Sequence, residues 1–311
     1  MARAVPTPEA PTEMPAAIPE SGLRAADGST LDTARWVATA AKADLVAFGE
    51  LHGNEIGASH EFSLLQGLHA AGRPVALAME FFERDVQGDL DKYLAGELEE
   101  PEFLKKTRQG RAYPTSHRPL IEYCKANGIP VIAANAPRPL VSGYRKSDAE
   151  SYAAYLEGLT EEERASLPRS TTTPDDAYKA RFMKFMGPTR GPAFFRSQSL
   201  WDDAMGEAVA DFRSANPEHQ VLLIIGGFHV TGRLGTITKF AQRRPDDSVH
   251  VTVMDMAANP EWCVCILDRL TDWNTKAACA AAAAGVDYLR TGDDVATQRS
   301  LMFHVDLWRR F

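Results

Sequence analysis

Six short apolar stretches alternate along this chain with longer stretches in which apolar residues recur every three or four positions. Short apolar runs that end at glycine or at polar residues are typical of strands buried in a sheet, and the longer pattern is typical of amphipathic helices. The predicted strands are 44–48, 75–79, 130–134, 221–225, 249–254 and 262–267. The alternation predicts an α/β fold of three layers, α/β/α, with a mostly parallel central sheet. Asn259-Pro260 makes a turn between the last two predicted strands, so these two strands can also pair as an antiparallel hairpin.

Composition divides the chain into four segments. Residues 1–22 hold five prolines and few large apolar residues, which predicts a disordered N-terminal tail. The first part of the α/β core is predicted over 23–146. Residues 147–217 show no strand pattern, and prolines separate their helical stretches, so we expect a helical insertion over the functional site. The second part of the core and a C-terminal element are predicted over 218–311.

Charge and the sequence termini limit the class of protein. The net charge is −8, the pI is about 5.5 and no basic stripe is visible along the whole chain, so no nucleic-acid partner is expected. No apolar run has the length of a membrane span, and the N-terminus lacks the apolar core of a secretory signal. We therefore expect a cytoplasmic protein without a membrane partner.

Common sequence motifs exclude several classes of site. The four cysteines lack the spacing of a zinc finger. Neither a dinucleotide-binding Gly-x-Gly-x-x-Gly after a strand nor the Gly-x-Ser-x-Gly elbow of serine hydrolases occurs in the sequence.

Carboxylate and imidazole side chains follow three of the predicted strands. They are Glu50 and His52 after the first strand, Glu80 after the second and, beyond Gly226-Gly227, His229 after the fourth. The carboxyl ends of parallel strands share one edge of a sheet, so we expect these four side chains to meet in one pocket. The set suits a divalent cation (Mn, Fe or Zn) or a metal-free acid–base pocket. Helix-capping carboxylates and hydrogen-bonded histidines remain the structural alternative.

Four further residues are candidates for binding a cofactor. His60 lies on the inner face of the helix after Glu50, where a histidine satisfied within the core is the alternative. Arg138 follows the third strand and can clamp an anionic group, although a surface arginine fits the pattern as well. His117 and Tyr113 lie in a predicted loop and are candidate iron ligands, with a solvated loop histidine as the alternative for His117.

These motifs, in this order and spacing, resemble the ChaN family of haem-binding proteins. That family lies within the Tiki superfamily, which also holds TraB-like proteins and erythromycin esterases. The stretches that carry the resemblance lie within about 44–255: 49–52 (Gly-Glu-Leu-His), His60, Gln66, 73–85, 118–120 (Arg-Pro-Leu), 128–138, 198–202 (Gln-Ser-Leu-Trp-Asp) and 226–230 (Gly-Gly-Phe-His-Val).

The resemblance implies an α/β core with one pocket, to which Glu50, His52, Glu80 and His229 correspond. ChaN-like members are associated with haem or iron uptake, often as lipoproteins, and can pair as dimers around haem. Other superfamily members are hydrolases that use a divalent metal or a histidine base. We expect this chain to depart from the uptake pattern, because no lipobox is found among its residues and because His117 stands where an aromatic residue is common in the family.

Three hypotheses follow. In the first, the pocket binds iron, most simply as haem, in intracellular iron or haem handling, with a small-molecule ligand and a possible homodimer. In the second, the protein is a metal- or histidine-dependent hydrolase of an ester or amide substrate, in which Arg138 positions an anionic group. In the third, the chain is a scaffold with a relic site.

Overall fold

The strands of the central sheet follow the predicted pattern closely. The computed structural model describes residues 22–26, 29–110, 113–254 and 264–268. The strands in these residues are β1 (Leu23–Arg24), β2 (Leu45–Glu50), β3 (Val75–Glu83), β4 (Val131–Asn135), β5 (Gln220–Gly226), β6 (Val249–Met254) and β7 (Val264–Asp268). They form one sheet in the order β1-β7-β6-β2-β5-β3-β4.

Five neighbouring strands of this sheet, β6, β2, β5, β3 and β4, run parallel. The edge strand β7 is antiparallel to β6 and parallel to β1. The three-layer α/β fold with a mostly parallel sheet is therefore confirmed, as is the antiparallel pairing of the last two predicted strands. The two-residue strand β1 was not predicted, because two residues are too few to form a pattern.

Helices cover both faces of the sheet. They are α1 (Thr33–Ala40), α2 (Glu55–Ala70), α3 (Gln87–Leu94), α4 (Glu100–Lys106), α5 (Arg118–Asn127), α6 (Arg138–Lys146), α7 (Tyr152–Glu157), α8 (Glu161–Ala165), α9 (Ala177–Ala215) and α10 (Thr236–Arg243). Alternate residues of β2 supply the two cores. Val46 and Phe48 pack with α1, α2 and α5, whereas Leu45 and Ala47 pack with α9 and α10.

The position of β5 determines the geometry of the site. Although β2 and β3 follow one another in the chain, β5 lies between them and pairs with both. Glu50 is level with Gly226, and Met79 is level with Ile224, so Glu80, the residue after Met79, lies near the carboxyl ends of β2 and β5. The glycine pair after β5 is thereby placed between the carboxylates that β2 and β3 carry.

Two local predictions need correction. β3 extends to Glu83 through a register shift between Met79 and Glu83, so Glu80 lies within the strand rather than after it. Tyr113–His117, expected as part of a loop, forms a single π-helical turn that leads into α5 and buries both named side chains. Residues 1–21 of the predicted disordered tail, most of the C-terminal element, Cys263 and Cys279 lie outside the described residues.

Residues 147–217 form the helices α7, α8 and α9. Helix α9 is interrupted at Gly187, whose φ of 77° and ψ of 167° are not helical. The chain reverses there, since Tyr178 and Phe182 before the glycine contact Phe195 after it, with ring centroids 5.9 and 5.4 Å apart. We call residues 177–196 the hairpin. The remainder of α9 packs on the sheet through Met205 and Val209.

Candidate functional site

Glu50 ends β2 and lies between two imidazoles. Nδ1 of His52 is 2.7 Å from Oε1 of Glu50, and Nε2 of His117 is 3.4 Å from Oε2. An ionised carboxylate only accepts hydrogen bonds, so both ring nitrogens donate. Burial by itself would raise the pKa of Glu50, but the hydrogen bonds from His117 and His52 outweigh it and lower that pKa to about 2. Glu50 is therefore a buried anion that orients His52.

Gly226 makes room for this arrangement. A Cβ atom at this position would lie 2.9 Å from Cε1 of His52 and 3.3 Å from Oε2 of Glu80. Such distances are below van der Waals contact or at its limit, so only glycine lets both side chains close over the end of β5. The Gly226 N–H also donates to Oε2 of Glu80 at 2.6 Å. The central strand thus holds one of the site's carboxylates with its own backbone.

His229 lies in a 3₁₀ turn, Gly227–His229, directly after β5. Its Nδ1 is 2.7 Å from Oδ1 of Asp202, which also accepts a hydrogen bond from the Thr236 hydroxyl at 2.7 Å. Its Nε2 is 3.8 Å from Oε1 of Glu80. Burial would lower the pKa of His229, but the charges of Asp202 and Glu80 outweigh it and raise that pKa. The result is a second carboxylate–imidazole pair, which faces Glu80.

The structure thus brings together the four residues expected to meet. Glu50 ends β2, His52 and His229 follow β2 and β5, and Glu80 lies beside them within β3. All four are in contact with one another or with Gly226. Burial would lower the pKa of His52, but its hydrogen bond to Glu50 and the charges of Glu50 and Glu80 raise it. Among the described residues, no group of three or more histidine, cysteine or carboxylate side chains is arranged to hold a metal ion. Glu50, His52, Glu80 and His229 therefore do not form such a group.

The other four candidates have different positions. His117, predicted in a loop as a candidate iron ligand, is buried and joins the site through Glu50. Arg138 begins α6 with its side chain half exposed, its backbone N–H donates to Oε1 of Glu83 at 2.9 Å, and it lies within electrostatic reach of Glu80. His60 is buried with its ring 5.8 Å from that of Trp36, and burial lowers its pKa to about 4. Tyr113 is buried in the hydrophobic core, where burial raises its pKa.

Two members of the site had no assigned role in the sequence. Asp202 appeared only in the stretch 198–202 that carries the family resemblance. Its spacing of four from Gln198 is the sequence signal, because Gln198 also lies at His229, with its Nε2 3.1 Å from Nδ1 of the ring. Glu61 is fully buried, and neither carboxyl oxygen has a hydrogen-bond partner among the described residues. Burial and the negative charge of Glu50 raise its pKa well above the usual value. The position of Glu61, an acidic residue on the apolar face of α2, is the sequence signal that could have identified it.

Partly exposed aromatic residues flank the site on both sides. Phe81 stacks on His117, with centroids 3.9 Å apart and planes at 26°, and it contacts His52 edge-on at 5.3 Å. Phe228 precedes His229 and contacts Phe185 of the hairpin at 5.8 Å. The polar groups are therefore set in an apolar rim, the usual composition of small-molecule sites.

Comparisons with known proteins agree with this architecture. The family described as haem-binding uptake, Tiki superfamily, ChaN matches residues 36–240. Among solved structures, ChaN of Campylobacter jejuni, described with cofacial haem binding, aligns with a TM-score of 0.52 and 14% identity over 73% of this chain and 87% of that one. An erythromycin esterase, EreC, aligns with a TM-score of 0.41 and 13% identity over 74% of this chain and 77% of that one.

The similarity to ChaN of Campylobacter jejuni concerns the fold alone. A search of curated proteins found no match. None of the helices in the described part of the chain has the length and apolar character needed to cross a membrane. Since the matched region spans well over half of the sequence, this chain belongs to the ChaN haem-binding uptake family of the Tiki superfamily.

Proposed function

We propose that this protein binds haem at the carboxyl edge of its sheet, with His52 as the imidazole that reaches the iron. The single observation that carries the proposal is the Glu50–His52 pair at an apolar rim. Histidines that ligate metals nearly always donate their other ring N–H to a carboxylate or carbonyl group, and Nδ1 of His52 does so to Glu50 at 2.7 Å. The Nε2 atom of His52 is directed away from Glu50, toward the end of β5.

His52 fits this role better than the other histidines of the site. Its side chain is 19% exposed, whereas those of His117 and His229 are 5% and 8% exposed. A haem iron takes only its axial ligands from the protein, so one accessible imidazole satisfies the requirement.

The surroundings of His52 suit the remainder of a haem group. Phe81, Phe228 and Phe185 offer partly exposed aromatic surface for a flat porphyrin. Arg138 carries a half-exposed guanidinium beside the site, suited to a propionate. Membership of a haem-binding family supports the same ligand.

A haemin titration tests the proposal. We expect saturable Soret absorbance changes with the parent protein and an affinity lowered about 10-fold or more in His52→Ala, since loss of a ligand costs at least as much as loss of its supporting partner. His219→Ala is the matched control, because Nδ1 of His219 also contacts a carboxylate, Glu218, at 2.8 Å, but at the opposite end of β5. Absence of saturable binding, or equal losses in the two variants, would contradict the proposal.

The expected homodimer and the expected cytoplasmic location remain predictions. A homodimer that forms around haem predicts a larger sedimentation coefficient after haemin addition than before it. A cytoplasmic role in haem or iron handling predicts that the protein is recovered in the cytoplasmic fraction of its own cells.

A second candidate function, hydrolysis of an ester or amide, is favoured by the Asp202–His229 pair. A buried carboxylate that orients an imidazole is the usual arrangement of a general base, and Glu80 faces this imidazole at 3.8 Å. A panel of chromogenic esters and amides tests it. We expect His229→Gln to lower a measured rate by about 10² to 10⁴-fold. Rates equal to those in buffer, with and without added Mn, Fe or Zn, would exclude this candidate.

A further inference from the structure

We propose that the tip of the hairpin, residues 183–193, docks on an anionic lipid surface. The hairpin tip borders the candidate site through Phe185, and the proposed docking holds whether or not the site binds haem.

The first observation is a local excess of positive charge. The whole chain is acidic, yet residues 177–201 contain five basic and no acidic residues. They are Lys179, Arg181, Lys184, Arg190 and Arg196. Lys184 and Arg190 are exposed on either side of the turn at Gly187, and neither forms an ion pair with a described carboxylate. The positive charge at the tip is therefore available to an external partner.

The second observation is the apolar character of the same tip. Met183, Phe185, Met186 and Phe194 are all partly exposed, and Pro188 and Pro192 are exposed. Segments that lie in the headgroup region of a membrane combine exposed apolar side chains, such as phenylalanine and methionine, with flanking lysine and arginine. The tip has this composition. An acidic protein partner would match the charge, but it would not require this number of exposed apolar side chains.

Close packing and hydrogen bonds hold the hairpin in a defined position. Gly191 packs so closely on the first leg that a Cβ atom there would lie 2.6 Å from Sδ of Met183. Arg181 donates hydrogen bonds to the carbonyl oxygens of Phe228 at 2.6 Å and Thr231 at 2.8 Å. The first leg is thus held to the loop that carries His229, and the tip is held in a defined orientation to the candidate site.

Charge complementarity selects the face that would approach a membrane. An anionic leaflet attracts the basic tip and repels the acidic remainder of the chain, so both forces favour the same orientation. Each basic side chain near such a leaflet increases partitioning by about fivefold. A docked hairpin would hold the carboxyl edge of the sheet at the lipid surface through Arg181.

Vesicle co-sedimentation of the full chain tests the proposal. We expect binding to vesicles of phosphatidylcholine with phosphatidylglycerol that exceeds binding to phosphatidylcholine alone and weakens with salt. Lys184→Glu with Arg190→Glu should lower partitioning by about 25-fold or more, from two factors of about five. Phe185→Ser should lower it while leaving the salt dependence in place.

A charge-matched variant provides the control. Lys42, in the turn after α1, and Lys92, on α3, are exposed and lie outside the hairpin, so Lys42→Glu with Lys92→Glu changes net charge equally. This variant should retain at least half of the parent's binding. Equal losses in both double variants would overturn the proposal in favour of general electrostatic attraction. A failure of the parent to bind anionic vesicles would also overturn it and would direct the search to an acidic protein partner. Circular dichroism of each variant verifies the fold.

Discussion

His229 and Asp202 are 27 positions apart in the chain, yet Nδ1 of His229 lies 2.7 Å from Oδ1 of Asp202. The helix α9 brings the carboxylate to the loop after β5, and burial of both side chains keeps water from competing for the bond. The pair fixes which nitrogen of His229 carries hydrogen, and it leaves Nε2 directed at Glu80.

Asp202→Asn should lower the pKa of His229, because the substitution removes an opposite charge that now counteracts burial. We also expect the free energy of unfolding to fall by about 1–3 kcal/mol, the cost of an impaired buried hydrogen bond. NMR titration of the His229 ring and urea denaturation measure the two effects. Asp211→Asn on the same helix is the control, since its exposed pair with Arg169 contributes about 1 kcal/mol or less. An unchanged titration of His229 would contradict the inferred pairing.

Gly226→Ala should impair the site more than the fold. The new methyl group would meet the His52 ring at 2.9 Å, and that ring lies at the rim and can move. We expect haemin affinity to fall about 10-fold or more, as for other changes that displace a supporting group. Gly88→Ala, in α3 with no atom near the new methyl group, should leave affinity unchanged and add up to about 1 kcal/mol of stability. Equal affinities in the two variants would refute this account of Gly226.

His60 should make stability depend on pH. Its pKa is about 4 in the folded protein against 6.5 in the unfolded chain, so the unfolded chain takes up a proton first as the pH falls. Stability is therefore complete above pH 6.5 and decreases by up to about 3 kcal/mol as the pH falls to about 4. His60→Leu removes this proton uptake. Urea denaturation of both proteins at about pH 7, at about pH 4.5 and at one value between them should show a smaller loss of stability in the variant. Parallel losses in the two proteins would contradict the prediction.

Gly235→Ala should be strongly destabilising. Gly235 has φ 57° and ψ −122°, and a Cβ atom there would lie 2.6 Å from the His229 carbonyl oxygen and 2.8 Å from Cζ of Tyr178. We expect a loss of about 3 kcal/mol from overpacking and strain together. Gly53→Ala separates the two causes, because Gly53 has φ 75° with open space around it and should cost only about 1 kcal/mol. Thermal denaturation of both variants provides the comparison, and similar melting temperatures would argue against the packing contribution.

The α/β fold could be predicted because its signal is local. The apolar runs of β2, β3 and β5 are continuous, as expected for strands covered on both faces, and each is followed by a helix of matching period. The structure confirms that fold, and the family match confirms the resemblance to ChaN. The turn at Tyr113–His117 was not predicted, since its polar residues resemble a loop and only contacts with Phe81 and Glu50 bury His117.

By itself, the sequence determined where the strands of the parallel sheet lie and that Glu50 and His229 come at or after the ends of β2 and β5, because apolar runs and glycine breaks depend only on near neighbours. Only the tertiary structure decided that β5 lies between β2 and β3, since a parallel crossover can place its strand on either side of its predecessor. The same holds for Asp202 and Glu61, each of which lies on a helix whose period indicates a buried face but not the residue it meets there. It also holds for His117, whose turn resembles a loop in the sequence. Such pairings arise from packing between distant segments, where shape and charge of the whole core select one arrangement.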